Sequence, residues 1–498
     1  MKKFKKIVFA TFGKWNEIFL VTLFQIISVP IILSKWSAEL LAVWVLLQTI
    51  MMLINLPFTS FSIFIYNENL KLGFKKKKHI LRNISSSIPF LLISLIIIFF
   101  LIVFINFHFD YEKILKIPSD NIQDFQNFIL YFTIITFLTT SLNEFLVNYL
   151  NIYGHYVYIS WIRGLRHFII SFFPLVAILF GYEFFEAGLC LILSNIFSFF
   201  IFFSLIYNRL GYEKFKLVKI DFKLGIENYI RSFLLMIKHF IEGFNATYIR
   251  FLIIGMFSLS ALSLFFTLRA LSGLVRQIVF SVIEPLTVEM MSEINKKNNK
   301  NYNKYFTIYY FYIIILIFPC CIALQYFAPL FFEIWTLKEL SFDANIFMIL
   351  VVSSLVISLN IPFKIIIDSF NLNLINLFIL ILSILSLSIS VLYFKESYGI
   401  LGLCFSILIY ELVYLFLIIF FAHYQYKKLN LNWPKINLIF GSLALILFCL
   451  YSLFLTEIII INNMDIYKYL IMVSYFCLII LFFKFTKIKK ILKNLRIR

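Results

Sequence analysis

The chain has 498 residues, 62% of them hydrophobic and only 14% charged, with a formal net charge of +19. Soluble domains are about a quarter charged, so this composition and the mean hydropathy of +0.95 exclude a water-soluble globular protein and predict an all-α polytopic membrane protein. The positive balance does not point to nucleic acid. Its Lys and Arg sit in short loops between apolar runs, as in Lys75, Lys76, Lys77 and Lys78 and in the tail from Lys484 to Arg498, where they act as topology signals.

Crossing a bilayer takes about 20 apolar residues. On that basis the chain predicts about fourteen spans, near 16–34, 40–66, 88–107, 125–147, 168–186, 187–207, 229–256, 257–283, 305–332, 346–367, 374–394, 401–424, 437–461 and 467–486. The basic start (Lys2, Lys3, Lys5, Lys6) and the run from Ile18 to Leu33 resemble a signal peptide. No small-residue cleavage site follows, so the run is expected to be a retained first helix. With the N-terminus in the cytoplasm, the outer side holds Lys35, Lys113, Lys116, Lys338, Lys395 and Lys468. The acidic Asp110, Glu112, Asp120, Asp124, Glu183, Glu186 and Asp343 fall on that side too. An even number of spans puts both termini in the cytoplasm of a cell with an inner membrane. Trp15, Trp36, Trp44, Trp161, Trp335 and Trp433 lie at or near predicted span ends, as expected for half-wet rings. The stretch Asn295 to Tyr305 reads as a polar inner loop. The six cysteines all fall in apolar runs, with no metal-ligand spacing and no disulfide framework. No metal or cofactor is expected.

An internal repeat is visible. Gly188-Leu189-Cys190 aligns with Gly402-Leu403-Cys404 at an offset of 214 residues, and the same offset takes Glu17 to Arg231. Spans one to six then overlay spans seven to twelve in the same orientation. Parallel repeats of this kind place a substrate site between the halves. The expected division is 1–223, 224–432 and a terminal helix pair with a basic tail, 433–498.

Charges within spans are costly and point to function. Span seven carries Arg231, Lys238, His239, Glu242, Asn245 and Arg250, all toward one face at about 100° per residue. Span eight carries Arg269 and Arg276 on one stripe. The expectation is a wet, anion-binding cavity, since the arginine fork suits phosphate. Arg231 is close enough to the inner surface to snorkel. Lys238 and Glu242 are four residues apart and can pair with each other. Glu411 in span twelve and Glu144 in span four read either as a proton or cation site or as static partners of Arg269 or Arg276. His239 reads as a packed or hydrogen-bonded residue. Pro30, Pro57, Pro319 and Pro362 interrupt spans, which allows bending.

The segment Asn245 to Glu293, with its LIIG end of span seven, arginine-bearing span eight and EPLTVEM exit, resembles the same region of polysaccharide flippases. These are O-antigen and capsule repeat-unit transporters of the multidrug/oligosaccharidyl-lipid/polysaccharide (MOP) superfamily. YGILGLCFSILIYE, Tyr398 to Glu411, resembles their eleven-to-twelve turn. The resemblance implies two six-helix lobes around a central cavity. It also implies a non-enzymatic activity: moving undecaprenyl-diphosphate-linked oligosaccharide from the inner to the outer leaflet by alternating access. Lys238, Arg269 and Arg276 would hold the diphosphate. The partners it implies are membrane lipid, a polysaccharide polymerase and a chain-length regulator. A membrane-embedded polymerase or glycosyltransferase is the first alternative, with Asp110 and Glu112 in the longest outer loop as its acidic pair. A multidrug or cation antiporter of the same superfamily is the second.

Overall fold

The computed structural model describes residues 2–72, 77–136, 139, 143, 156–210, 219–295, 299–370, 372–428, 432–455 and 464–486. These residues are almost wholly helical. The helices are α1 (Lys2–Lys35), α2 (Ala38–Leu72), α3 (Lys77–His108), the short outer α4 (Tyr111–Leu115), α5 (Ser119–Thr136), α6 (Tyr156–Leu179), α7 (Phe184–Leu210) and α8 (Phe222–Met256). They continue with α9 (Leu259–Asn295), α10 (Asn299–Tyr312), α11 (Phe318–Trp335), α12 (Ala344–Ser369), α13 (Asn373–Lys428), α14 (Lys435–Leu455) and α15 (Met464–Thr486). A π-helical turn, Ile313–Ile317, joins α10 to α11. Among the described residues, ten helices are long and apolar enough to cross a membrane, with shorter apolar stretches beside them. The chain is a multi-pass membrane protein.

The helices run past the apolar windows at both ends, and this is where the expected boundaries fail. α3 begins at Lys77 rather than near 88, and α9 continues to Asn295 rather than ending near 283. α6 occupies Tyr156–Leu179 where 168–186 is expected, so Arg163, Arg166 and His167 are helical. It ends ahead of Gly181, whose φ of 85° a residue with a Cβ rarely adopts. The polar stretch expected as a loop is helical from Asn299. Hydropathy measures what hydrocarbon will accept, whereas helix ends are set by caps and packing. In α10, Tyr302 and Phe306 lie one turn apart and are both fully buried, which holds the polar start of the helix in place.

The two spans expected at 374–394 and 401–424 are the two helical arms of α13, separated by a sharp break at Gly399, with φ 57° and ψ −131°. A Cβ on Gly402 would lie 2.5 Å from the Phe394 carbonyl oxygen. The turn is therefore folded tightly enough to demand glycine twice. Ser and Thr inside the helices return their hydroxyls to the preceding turn, as Ser353 does to Ile349 (2.8 Å) and Ser383 to Ile379 (2.8 Å), so they cost little in a low-dielectric setting.

Trp15 and Trp161 are exposed, in keeping with a headgroup role, but Trp36, Trp44 and Trp335 are buried. Trp36 donates from Nε1 to the Tyr182 carbonyl at 3.2 Å and packs edge-on against Trp44, with Phe184 beside both. These rings bind helix ends together within the first unit. The six thiols are free.

The described residues pack as two compact units, Met1–Ser263 and Leu264–Arg498. In the first, α1 packs along α6, α2 along α8, α6 along α7, and α3 against both α2 and α8. In the second, α12 packs along α13, α14 along α15, and α11 and α12 against α14.

Candidate anion site

Within the first unit, the charged stripe of α8 is turned largely onto α2. Asp221 starts the helix by accepting from Leu224 N at 3.2 Å. Arg82 of α3 donates to the same carboxylate, and Ser86 Oγ accepts from Asp221 N at 2.9 Å. The backbone cap and the guanidinium together hold the Asp221 carboxyl below the usual carboxylate range. Further along, Gly243 sits where a Cβ would meet Leu56 at 2.4 Å, so α8 and α2 approach closely. His239 Nδ1 is 3.0 Å from Ser60 Oγ, and Arg250 donates to Thr49 Oγ1. Lys238 is buried, Glu242 half-buried and Arg231 exposed. The stripe is thus partly spent on α2 rather than open along its length, because α2 offers hydroxyls at matching heights. His239 is the hydrogen-bonded residue its position suggests.

Within the second unit, the residues that come together are on α9, α12 and α13. Arg269 is half-buried, with its guanidinium carbon 5.6 Å from the Phe265 ring centroid, in cation–π range. Arg276, two turns on, is exposed. Glu411 is half-buried on α13. Its carboxylate lies in the field of Arg269 first, then Arg276 and Lys364. Arg269 also acts on Cys404, two turns before Glu411 on the same face of α13. Two stripes, each with a seven-residue interval, are therefore in electrostatic reach of each other.

Lys364 is the member that sequence reading missed. It lies in the apolar run of α12, with Asp368 one turn later taking a hydrogen bond from Asn376 Nδ2 at 3.3 Å. The rule that singles out Arg269 applies equally to Lys364, but its place near the predicted span end hid it. Glu144 and the side chain of Asn245 lie outside the described residues. Asp110 caps α4 by accepting from Lys113 N at 3.0 Å, which is a structural duty in the outer loop. Among the described residues, no group of three His, Cys, Asp or Glu could hold a metal ion.

No model of a known protein family matches the sequence, and no curated protein matches it. Solved structures do match. One is an inward-facing multidrug resistance MATE family transporter of the MOP superfamily, 13% identical, TM-score 0.66, covering 84% of this chain and 99% of that one. Another is the lipid II flippase MurJ in an inward closed conformation, 14% identical, TM-score 0.65, covering 97% of this chain and 99% of that one. A mutant of the Vibrio cholerae MATE transporter VcmN is 11% identical, TM-score 0.59, over 85% of this chain and 97% of that one. At these identities the shared property is the fold: this chain has the polytopic helical architecture seen in MATE transporters, over 84% of its length in the first of them, and in the lipid II flippase MurJ, over 97%.

Proposed function

We propose that this protein is a flippase that carries a lipid-linked diphosphate head group, an undecaprenyl-diphosphate oligosaccharide, from the inner to the outer leaflet by alternating access. The observation that carries the reading is the second-unit group of cations, Arg269, Arg276 and Lys364, whose fields reach the carboxylate of Glu411. Such an excess of cations in membrane-depth helices is costly, and binding an anion offsets that cost. Arginine presents paired donors to adjacent phosphate oxygens, and the exposed Arg276 is the one open to an arriving ligand. Lys238 and Arg250 on α8 add positive charge within the first unit.

The lipid-linked class is favoured over a soluble drug by coverage. The MurJ structure accounts for 97% of the chain and the first MATE structure for 84%. The difference is about the length of the segment 433–498. The antiporter reading draws on the equally good fold match to MATE transporters, and drug sensitivity of a deletion strain would favour it. A polymerase is disfavoured by Asp110, whose carboxylate is occupied in capping α4.

Arg269→Ala and Arg276→Ala should each abolish surface polysaccharide while leaving inserted protein at normal levels, with repeat units trapped on the inner leaflet. Losing one charge-assisted contact is worth about 1.5–3 kcal/mol, roughly a tenfold to hundredfold loss of head-group affinity. Normal polysaccharide in both variants refutes the reading.

A further inference from the structure

In the second unit, two proline interruptions are each answered by a tyrosine hydroxyl from a neighbouring helix. Proline has no N–H, so it leaves the carbonyl one turn earlier without its helical donor. In α12, Pro362 leaves the Ser358 carbonyl in that state, and this carbonyl accepts instead from the Tyr309 hydroxyl of α10. Where α10 passes into α11, the bonding pattern is one residue longer: across the π turn, Phe318 N donates to the Ile313 carbonyl, five residues back. The next donor in that pattern would be Pro319, which has none to give, and its partner would be the Ile314 carbonyl. That carbonyl accepts from the Tyr475 hydroxyl of α15. Each tyrosine fills the place of an N–H that a proline lacks, at a depth where there is no water to do so. Both tyrosines are buried.

The two pins are linked, because Tyr309 stands one turn before the π turn. A π turn is one extra residue in the helix, and each residue turns an α-helix by about 100°. Closing the turn up to α-helix would rotate α10 by about that angle relative to α11, and the Tyr309 hydroxyl would swing off Ser358. The apolar cleft beside the turn, lined by Ile315 and Pro319 on one side and Tyr475 on the other, leaves space for such a change. The bent arrangement is nonetheless discrete. The Phe306 and Phe363 rings meet at 5.5 Å, and a Cβ on Gly441 of α14 would lie 2.5 Å from the Tyr310 ring and 3.5 Å from Leu359. These contacts belong to one register of α10 and are lost in the other, so the second unit has two packings here rather than a graded series. We propose that α15 controls the bend of α12 through this relay: Tyr475 holds the π turn, the π turn aims Tyr309, and Tyr309 caps the Ser358 carbonyl that Pro362 has freed. The terminal helix is then a control element of the second unit. The relay does not depend on what the protein carries.

The test is hydrogen exchange, read by mass spectrometry on the full-length protein in nanodiscs. Tyr475→Phe should raise exchange about tenfold at residues 313–318 and, through the relay, at residues 355–366 of α12. Tyr309→Phe should raise it by a similar factor in α12 while leaving 313–318 as in the wild type. Pro362→Ala restores a backbone donor to Ser358, so in that background neither tyrosine variant should alter exchange in α12. Pro362→Ala alone should slow exchange at 355–366, a readout that does not require either phenylalanine variant to fold. An effect of Tyr475→Phe confined to 313–318 overturns the relay. A Tyr309→Phe effect that persists beside Pro362→Ala, or exchange in α12 that Pro362→Ala leaves unchanged, overturns the pin, because the hydroxyl would then not be replacing the donor that proline lacks.

Discussion

Lys364 carries the most informative single side chain after the two arginines, because it joins their cluster from a different helix. If it shares the anion with them, Lys364→Ala should reduce transport as Arg269→Ala does. Lys364→Arg should keep most activity, since charge rather than fork geometry is what a third contact supplies. Transport assayed by surface polysaccharide at matched protein levels checks this; wild-type activity of the alanine variant removes Lys364 from the site. Glycines make demands of the opposite kind. Gly399 adopts φ 57° and ψ −131°, where a side chain is strained. Gly399→Ala should destabilise the protein by about 1–3 kcal/mol, read as a lower melting temperature in detergent, whereas an unchanged melt would mean that the turn rearranges freely.

The seam between α3 and α8 is built from Arg82, Asp221 and Ser86, with Gly225 allowing contact so close that a Cβ there would meet the Ser86 carbonyl at 2.4 Å. Asp221 is held below the ordinary carboxylate value, so its contribution is fully present above that value. It is lost as pH falls through the lower, folded one. Protection of the Leu224 and Gly225 amides, taken relative to the intrinsic exchange rate at each pH, should therefore fall on strong acidification, and Asp221→Ala should show the same lowered protection at neutral pH. Indifference of these amides to both changes would show the cap to be dispensable. The π turn at Ile313–Ile317 poses a related question of backbone satisfaction. Its Ile314 carbonyl accepts from the Tyr475 hydroxyl of α15, and Gln325 of α11 accepts from Ser452 of α14 at 2.8 Å. A carbonyl left bare at membrane depth has no water to turn to. Tyr475→Phe should cost about 1–3 kcal/mol in thermal melts, with no loss expected only if the turn reverts to α-helix.

The terminal pair, α14 and α15, stands beside α10 and α11 across an apolar cleft of about 730 Å³ lined by residues such as Phe311, Pro319, Phe448 and Phe476. Phe318 meets Phe448 and Tyr475, and Phe440 meets Phe482, so the pair is packed into the second unit. A chain truncated after residue 432 should lose its monodisperse peak in detergent by size-exclusion chromatography. A well-behaved truncation would show that the first twelve spans fold without the pair.

Membrane class, approximate span positions and the cationic character of α9 were all legible in the chain. The bilayer imposes a length and a polarity on every crossing segment, and a charge placed within one has to be accounted for. Helix ends were not legible, because caps such as Asp221 and Asp343 and breaks such as Gly181 act through backbone geometry rather than hydropathy. Nor was the fate of each charge. Lys238, His239 and Arg250 share a face that the sequence displays plainly, yet whether that face meets a helix or an open site depends on where Ser60 and Thr49 fall on α2. The meeting of Lys364 and Glu411 with Arg269 and Arg276 likewise belongs to folding. These residues come from segments far apart in the chain, and only the folded arrangement of α9, α12 and α13 brings the three cations within electrostatic reach of Glu411.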